Sequence, residues 1–137
     1  MSTEGIMSGN AEKKAIISYN RMDENSVHIA QEICRELSAS GIEPLSLKYD
    51  DGADGRLIGV RSADSGVGCV CMITVGGDGS IISHGKLAAV WGIPLLGVNT
   101  GRLGFMANLE PLVTTIQCMV EIALILYSLP KSWRPTV

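Results

Sequence analysis

Asp78 stands inside VGGDGSII (75–82), at the point where an apolar run gives way to glycines. The glycines let a backbone approach a polyphosphate closely, and a helix beginning near Ser80 would add unsatisfied N–H groups and a positive dipole end. That accounts for Gly77 and Gly79 at the turn, but not for an acid. A carboxylate repels phosphate at a purely anion-binding turn, so its presence points to another duty: accepting a proton from a hydroxyl beside the phosphates, as in a kinase. Gly-Gly-Asp-Gly is also good turn chemistry, and an aspartate just before a helix commonly serves as its N-cap. Both readings stand on these residues alone. A second polar turn, NTGRLGF (99–105), follows the next apolar run. In it, Asn99 orients the turn or a ligand, or else bonds locally as a cap or Asx-turn. Arg102 pairs with phosphate, or is one of the many solvated arginines of a protein surface.

These turns must be carried by regular elements. AIISY (15–19) is short and continuously apolar, as expected of a strand covered on both faces of a parallel sheet. In NSVHIAQEICRELSAS (25–40) the period changes: Val27, Ala30, Cys34 and Leu37 share a stripe with Ile33 beside it, which predicts an amphipathic helix closed by Gly41. IEPLSL (42–47) predicts a strand weakened at Pro44. Residues 48–68 are rich in Asp and Gly and are expected to be mainly loop, with only RLIGV (56–60) suggesting regularity. DDGADG within them lacks the acidic spacing and the twelfth-position glutamate of a calcium loop. CVCMITV (69–75) predicts the clearest strand, SIISHGKLAAVW (80–91) a helix stopped by Gly92, IPLLGVN (93–99) another buried strand, and residues 110–127 a last helix. The order implies an α/β fold: an open three-layer sandwich with a mostly parallel sheet, whose ligands bind beyond the carboxyl ends of the strands. Asp78 lies at such an end.

The chain has 137 residues, enough for one core, with 46% hydrophobic residues. Its formal charge of −3 supplies no basic field, so nucleic-acid and acidic-membrane partners are not expected. Cys34, Cys69, Cys71 and Cys118 follow no zinc or disulfide spacing and read as buried thiols. No signal-peptide core opens the chain, and VEIALILYSL (120–129) is too short and too interrupted by Glu121 to span a bilayer, so a cytoplasmic protein is expected. His28, His84 and Lys86 carry no metal spacing and are assigned no role. The expected organisation is a leader over 1–12, one nucleotide-binding domain over 13–127 and an irregular tail over 128–137.

VGGDGSII together with GIPLLGVNTGRLGFMANLEP (92–111) resembles the amino-terminal half of the NAD kinase family. The first motif is similar to those of phosphofructokinases and of diacylglycerol and sphingosine kinases as well; NTGRLGF is the more specific. The resemblance covers 69–111 and, more loosely, 14–47. It implies transfer of the ATP γ-phosphoryl group to the adenosine ribose 2′-hydroxyl of NAD, giving NADP, with Asp78 as general base. It also places Gly77 and Gly79 near substrate phosphates and Phe105 against the nucleotide. Ser80 stands where the family more often has threonine. Mg2+ or another divalent cation is implied by transfer from ATP, with no protein ligand named. The family's second, mainly β domain, with its Asn-Glu or Asn-Asp motif, is expected to be missing here. That would leave the 110–127 helix apolar on nearly every side and favour a homo-oligomer. The other readings are a related lipid or sugar kinase, which NTGRLGF disfavours, and a non-catalytic nucleotide-binding or subunit-interaction module.

Overall fold

The computed structural model describes residues 13–47 and 56–100, together with Gln117, Cys118, Val120, Glu121, Ile122, Leu124, Ile125, Ser128, Leu129, Pro130 and Ser132. In chain order the elements are β1 (Lys14–Tyr19), α1 (Glu24–Ala39), β2 (Glu43–Leu47), β3 (Arg61–Ala63), β4 (Cys71–Gly76), α2 (Asp78–Trp91) and β5 (Leu95–Asn99). The strands form one sheet in the order β3-β2-β1-β4-β5, and every pairing is parallel. The expected α/β sandwich is therefore what the chain builds.

The two helices cover opposite faces. Ala15, Ile17 and Tyr19 of β1 and Cys71, Ile73 and Val75 of β4 pack with Ile29, Ala30, Ile33, Cys34 and Leu37 of α1. Ile16 and Met72, one residue out of phase and so on the other face, pack with Ala88 and Trp91 of α2. The continuous apolar runs of β1 and β4 follow from this double coverage: β4 is buried throughout, and in β1 every residue after Lys14 is buried.

Helix α1 begins where Asp23 accepts a hydrogen bond from the backbone N–H of Asn25 and another from the Ser26 hydroxyl. Its buried stripe runs through Ser26, Ile29, Ala30, Ile33, Cys34 and Leu37; Val27, expected on the stripe, is at its half-buried margin. At the other end Gly41 takes φ 80°, its N–H donates to Ser38 and that of Ile42 to Leu37, which closes the helix as the sequence predicts. Pro44 is tolerated because of register. Glu43 donates its N–H to Lys13, so the Pro44 nitrogen faces away from β1, and pairing with β3 begins only at Leu45.

The structure corrects four expectations. The regular element within 48–68 is β3, Arg61–Ala63, and not RLIGV; residues 48–55, including DDGADG, lie outside the described residues. Helix α2 begins at Asp78, not Ser80. Strand β5 is an edge strand, and among its residues only Val98 is buried. Cys118 is exposed, whereas Cys34, Cys69 and Cys71 are buried. Of the expected 110–127 helix, Gln117, Cys118, Val120, Glu121, Ile122, Leu124 and Ile125 are helical; Val120 joins the α1-face core while Ile122 and Ile125 are exposed. The expected leader 1–12 lies outside the described residues, as does most of the tail.

Candidate functional site at the strand ends

Because α1 leaves β1 on one face and α2 leaves β4 on the other, the loops after these adjacent strands diverge at the carboxyl edge of the sheet, the place where open parallel sheets bind their ligands in a crevice. The strand ends are stitched beyond their ladders: Asn20 donates its N–H to the Val75 carbonyl at 3.1 Å, and Thr100 donates to Gly76 at 3.0 Å. Asn20, the 76–80 turn and the Asn99–Thr100 turn are thereby held side by side. A contact between the Ser26 and Thr100 hydroxyls, 3.4 Å apart, links the start of α1 to the same edge.

Gly77 is the N-cap of α2 and offers no side chain; its carbonyl accepts the first helical bond, from Ile81, at 3.1 Å. The helix itself therefore claims none of the N–H groups of Asp78, Gly79 and Ser80. The glycines here have different reasons to be glycine. A Cβ on Gly76 would sit 3.2 Å from the Ser80 Cβ, so a side chain there would have to push Ser80 aside by a few tenths of an ångström. A Cβ on Gly77 or Gly79 would meet nothing within 4 Å, and neither residue has a positive φ. Neither backbone strain nor internal packing requires glycine at these two positions, and both leave open space over the first turn of α2.

Asp78 is exposed and is the first residue of the helix, one position past the cap, so it does not fill the N-cap role. Its Oδ1 accepts a hydrogen bond from the Asn99 side-chain amide. The register explains this contact: Asn99 pairs directly with Gly76, two residues before Asp78. Its amide therefore does not serve only as a local cap of its own turn. The second carboxylate oxygen, Oδ2, has no hydrogen-bond partner among the described residues.

Gly77, Asp78, Gly79, Ser80 and Asn99, chosen from sequence, thus come together at the carboxyl edge of the sheet. Arg102 and Phe105 lie outside the described residues. Sequence reasoning missed Asn20 and Thr100, which close the strand ends. Their signal was position, since each is the residue just past a predicted strand. Among the described residues no three His, Cys, Asp or Glu side chains come together to hold a metal ion. A 280 Å³ cavity lined by Glu36, Leu37, Ser40, Val120 and Leu124, among others, lies at the C-terminal end of α1. That places it at the opposite end of the parallel strands from Asp78, so it forms no part of this site.

Comparison with known proteins identifies the family. The family description ATP-NAD kinase N-terminal domain matches residues 15–120. An NAD kinase of Mycobacterium bovis is 32% identical over 107 residues, which cover 78% of this chain and 30% of the relative. An NAD kinase of Treponema denticola is 33% identical over 99 residues, covering 72% of this chain and 32% of the relative. One from Cellvibrio japonicus is 51% identical over a shorter stretch of 43 residues, 31% of this chain and 14% of the relative. The chain spans less than a third of the length of these relatives. The family description extends over most of the chain and includes every site residue named above, and on that ground the chain belongs to the NAD kinase family.

Proposed function

We propose that this chain carries the phosphate-binding and general-base half of an NAD kinase site, transferring the ATP γ-phosphoryl group to the 2′-hydroxyl of the adenosine ribose of NAD. The observation that carries the reading is the Asp78 carboxylate, fixed through one oxygen by Asn99 and open at the other, beside two glycines whose missing side chains leave room for a ligand. In the proposed step Oδ2 accepts the proton of the ribose hydroxyl as its oxygen attacks the γ-phosphorus. The bond from that phosphorus to the β–γ bridging oxygen breaks, and ADP leaves. The N–H groups at the start of α2 and the positive end of its dipole face the phosphates, and the space over Gly77 and Gly79 admits them. Ser80 adds a hydroxyl, and Arg102 and Phe105 are proposed to meet phosphate and nucleotide base.

Magnesium keeps most of its water and takes one or two carboxylates plus substrate phosphates. A divalent cation would arrive with the ATP phosphates and would supply charge neutralisation on the transferring group. ATP and NAD are the proposed ligands and the cytoplasm the proposed location; no helix among the described residues is long and apolar enough to cross a membrane.

A second reading is supported by the outer side of α2, where Ile82 is 66% and Val90 80% exposed. Apolar side chains so placed favour burial against another protein surface, so the chain is proposed to act within an oligomer or beside a complete homologous subunit. One experiment separates the readings: purified chain is given ATP, Mg2+ and NAD, alone and mixed with a full-length homologue, and NADP is measured. NADP from the chain alone supports the kinase. Binding of NAD or ATP without turnover supports the subunit role. Phosphorylation of a lipid or sugar alcohol in place of NAD would overturn the choice of acceptor.

A further inference from the structure

We propose that His84 is a positioning residue for Asp78, acting through the first turn of α2. The proposal rests on the phosphotransfer reading above and adds a residue to it. The imidazole bridges two elements: Nδ1 lies 2.8 Å from the backbone carbonyl oxygen of Ser80, and Nε2 lies 2.9 Å from Oγ of Ser18. A carbonyl oxygen only accepts, so Nδ1 donates. In the neutral ring Nε2 is then the acceptor and the Ser18 hydroxyl its donor, which fixes the Nδ1–H tautomer. Ser18 is fully buried on β1, the middle strand of the sheet.

Helix α2 needs such a tether. It opens on Gly77-Asp78-Gly79, has no side-chain cap bond, and buries only Ala88 completely. Packing and capping therefore do little to fix the turn that bears Asp78. His84 fastens that turn to β1 through the Ser80 carbonyl, and Asn99 fastens the carboxylate to β5. The two tethers come from opposite sides of β4. A general base displaced by about 1 Å from its hydroxyl can lose on the order of 10²-fold in rate, so a turn loosened at one tether shows in turnover before it shows in affinity.

The test uses the whole chain as wild type and as His84→Ala, His84→Asn and Ser18→Ala. Long-range 1H–15N spectra of the imidazole should show a neutral His84 protonated at Nδ1. The Asn99 side-chain amide protons, which report on the Asp78 contact, should move toward free-amide positions in His84→Ala and Ser18→Ala. In His84→Asn the shorter amide can still donate to Ser80 but no longer reaches Ser18, so they should move as in Ser18→Ala. NADP formation should fall about tenfold in kcat for His84→Ala, and likewise for His84→Asn and Ser18→Ala, with KM for NAD within about twofold. An Nε2–H tautomer, or an Asn99 amide unmoved by His84→Ala, overturns the proposal. If His84→Ala does not fold, Ser18→Ala and His84→Asn give the same two readouts. If wild type makes no NADP, the phosphotransfer reading fails while the tautomer and the Asn99 amide still decide the tether.

Discussion

Gly66→Ala should destabilise the protein, and the structure sets the size of the effect. Gly66 is buried before β4, and its carbonyl accepts a bond from the Cys69 N–H. A Cβ there would sit 2.6 Å from Cε3 of Trp91 and 3.1 Å from Cγ1 of Ile16. The first distance is far inside the ~3.5–4.0 Å optimum for carbon atoms. The approach to the ring of Trp91, half-buried in the last turn of α2, is the one that forces a shift, whereas the 3.1 Å approach to the fully buried Ile16 asks for only a few tenths of an ångström. Overpacking of this kind costs about 1–3 kcal/mol. Gly66 has no positive φ, so alanine also restricts the unfolded chain and offsets about 0.4–1 kcal/mol of that cost. The net expectation is a loss of roughly 1–2 kcal/mol, or about 3–8 °C in Tm for a domain of this length. Urea unfolding followed by far-UV circular dichroism measures it. In a Trp91→Leu background the same alanine should cost less than half as much, because the ring it strikes is gone. An unchanged or raised midpoint for Gly66→Ala, or an equal cost in both backgrounds, would refute the reasoning.

Asp23→Ala removes the acceptor for both Asn25 and Ser26 and should lower stability by about 0.5–2 kcal/mol, read as a shift of the urea midpoint. The Arg61 guanidinium, bonded to Glu43 at 2.6 and 2.8 Å, holds that carboxyl below its usual value of 4.5. Its contribution is thus complete above about pH 4.5 and is lost as pH falls through the lowered folded-state value. Arg61→Met should flatten the stability profile in that acid window and leave it unaltered near neutrality apart from a constant offset. Burial pushes the Cys71 thiol up to about 12 and also raises Cys69, while Cys118 is exposed. An alkylating reagent at pH 8 should therefore label Cys118 in the folded protein and the other three cysteines only after denaturant is added, as peptide mass mapping would show.

Most of the sheet was legible because its central strands are buried on both faces and leave continuous apolar runs, that of β4 ended by glycine. CVCMITV can hardly be anything but such a strand, and Gly41 and Gly92 mark helix ends with the positive φ that the structure gives them. Strand β3 left no such trace. Arg61, Ser62 and Ala63 have no apolar period, and what holds them is the ladder to β2 together with the Glu43–Arg61 pair, eighteen positions apart. The site divides in the same way. Gly77, Asp78 and Gly79 are neighbours in sequence, and their chemistry is readable from their types. The Asn99 contact depends on the register that sets Asn99 beside Gly76, and the His84 tether depends on Ser18, 66 positions away. A lone histidine in a helical run carries no hint of such a partner. Cys118 was misread for a simpler reason: an apolar stretch does not reveal which of its residues faces outward.

Asp78→Asn tests most directly whether the Asp78 carboxylate takes a proton during phosphoryl transfer. Asparagine keeps the shape and a carbonyl oxygen but not the basicity, and the side chain is exposed, so folding should be unaffected. With ATP, Mg2+ and NAD, kcat for NADP formation should drop by about 10²–10⁴, with the urea midpoint and KM for NAD close to wild type. Turnover within a few-fold of wild type in the folded variant would contradict the assignment of Asp78 as the base.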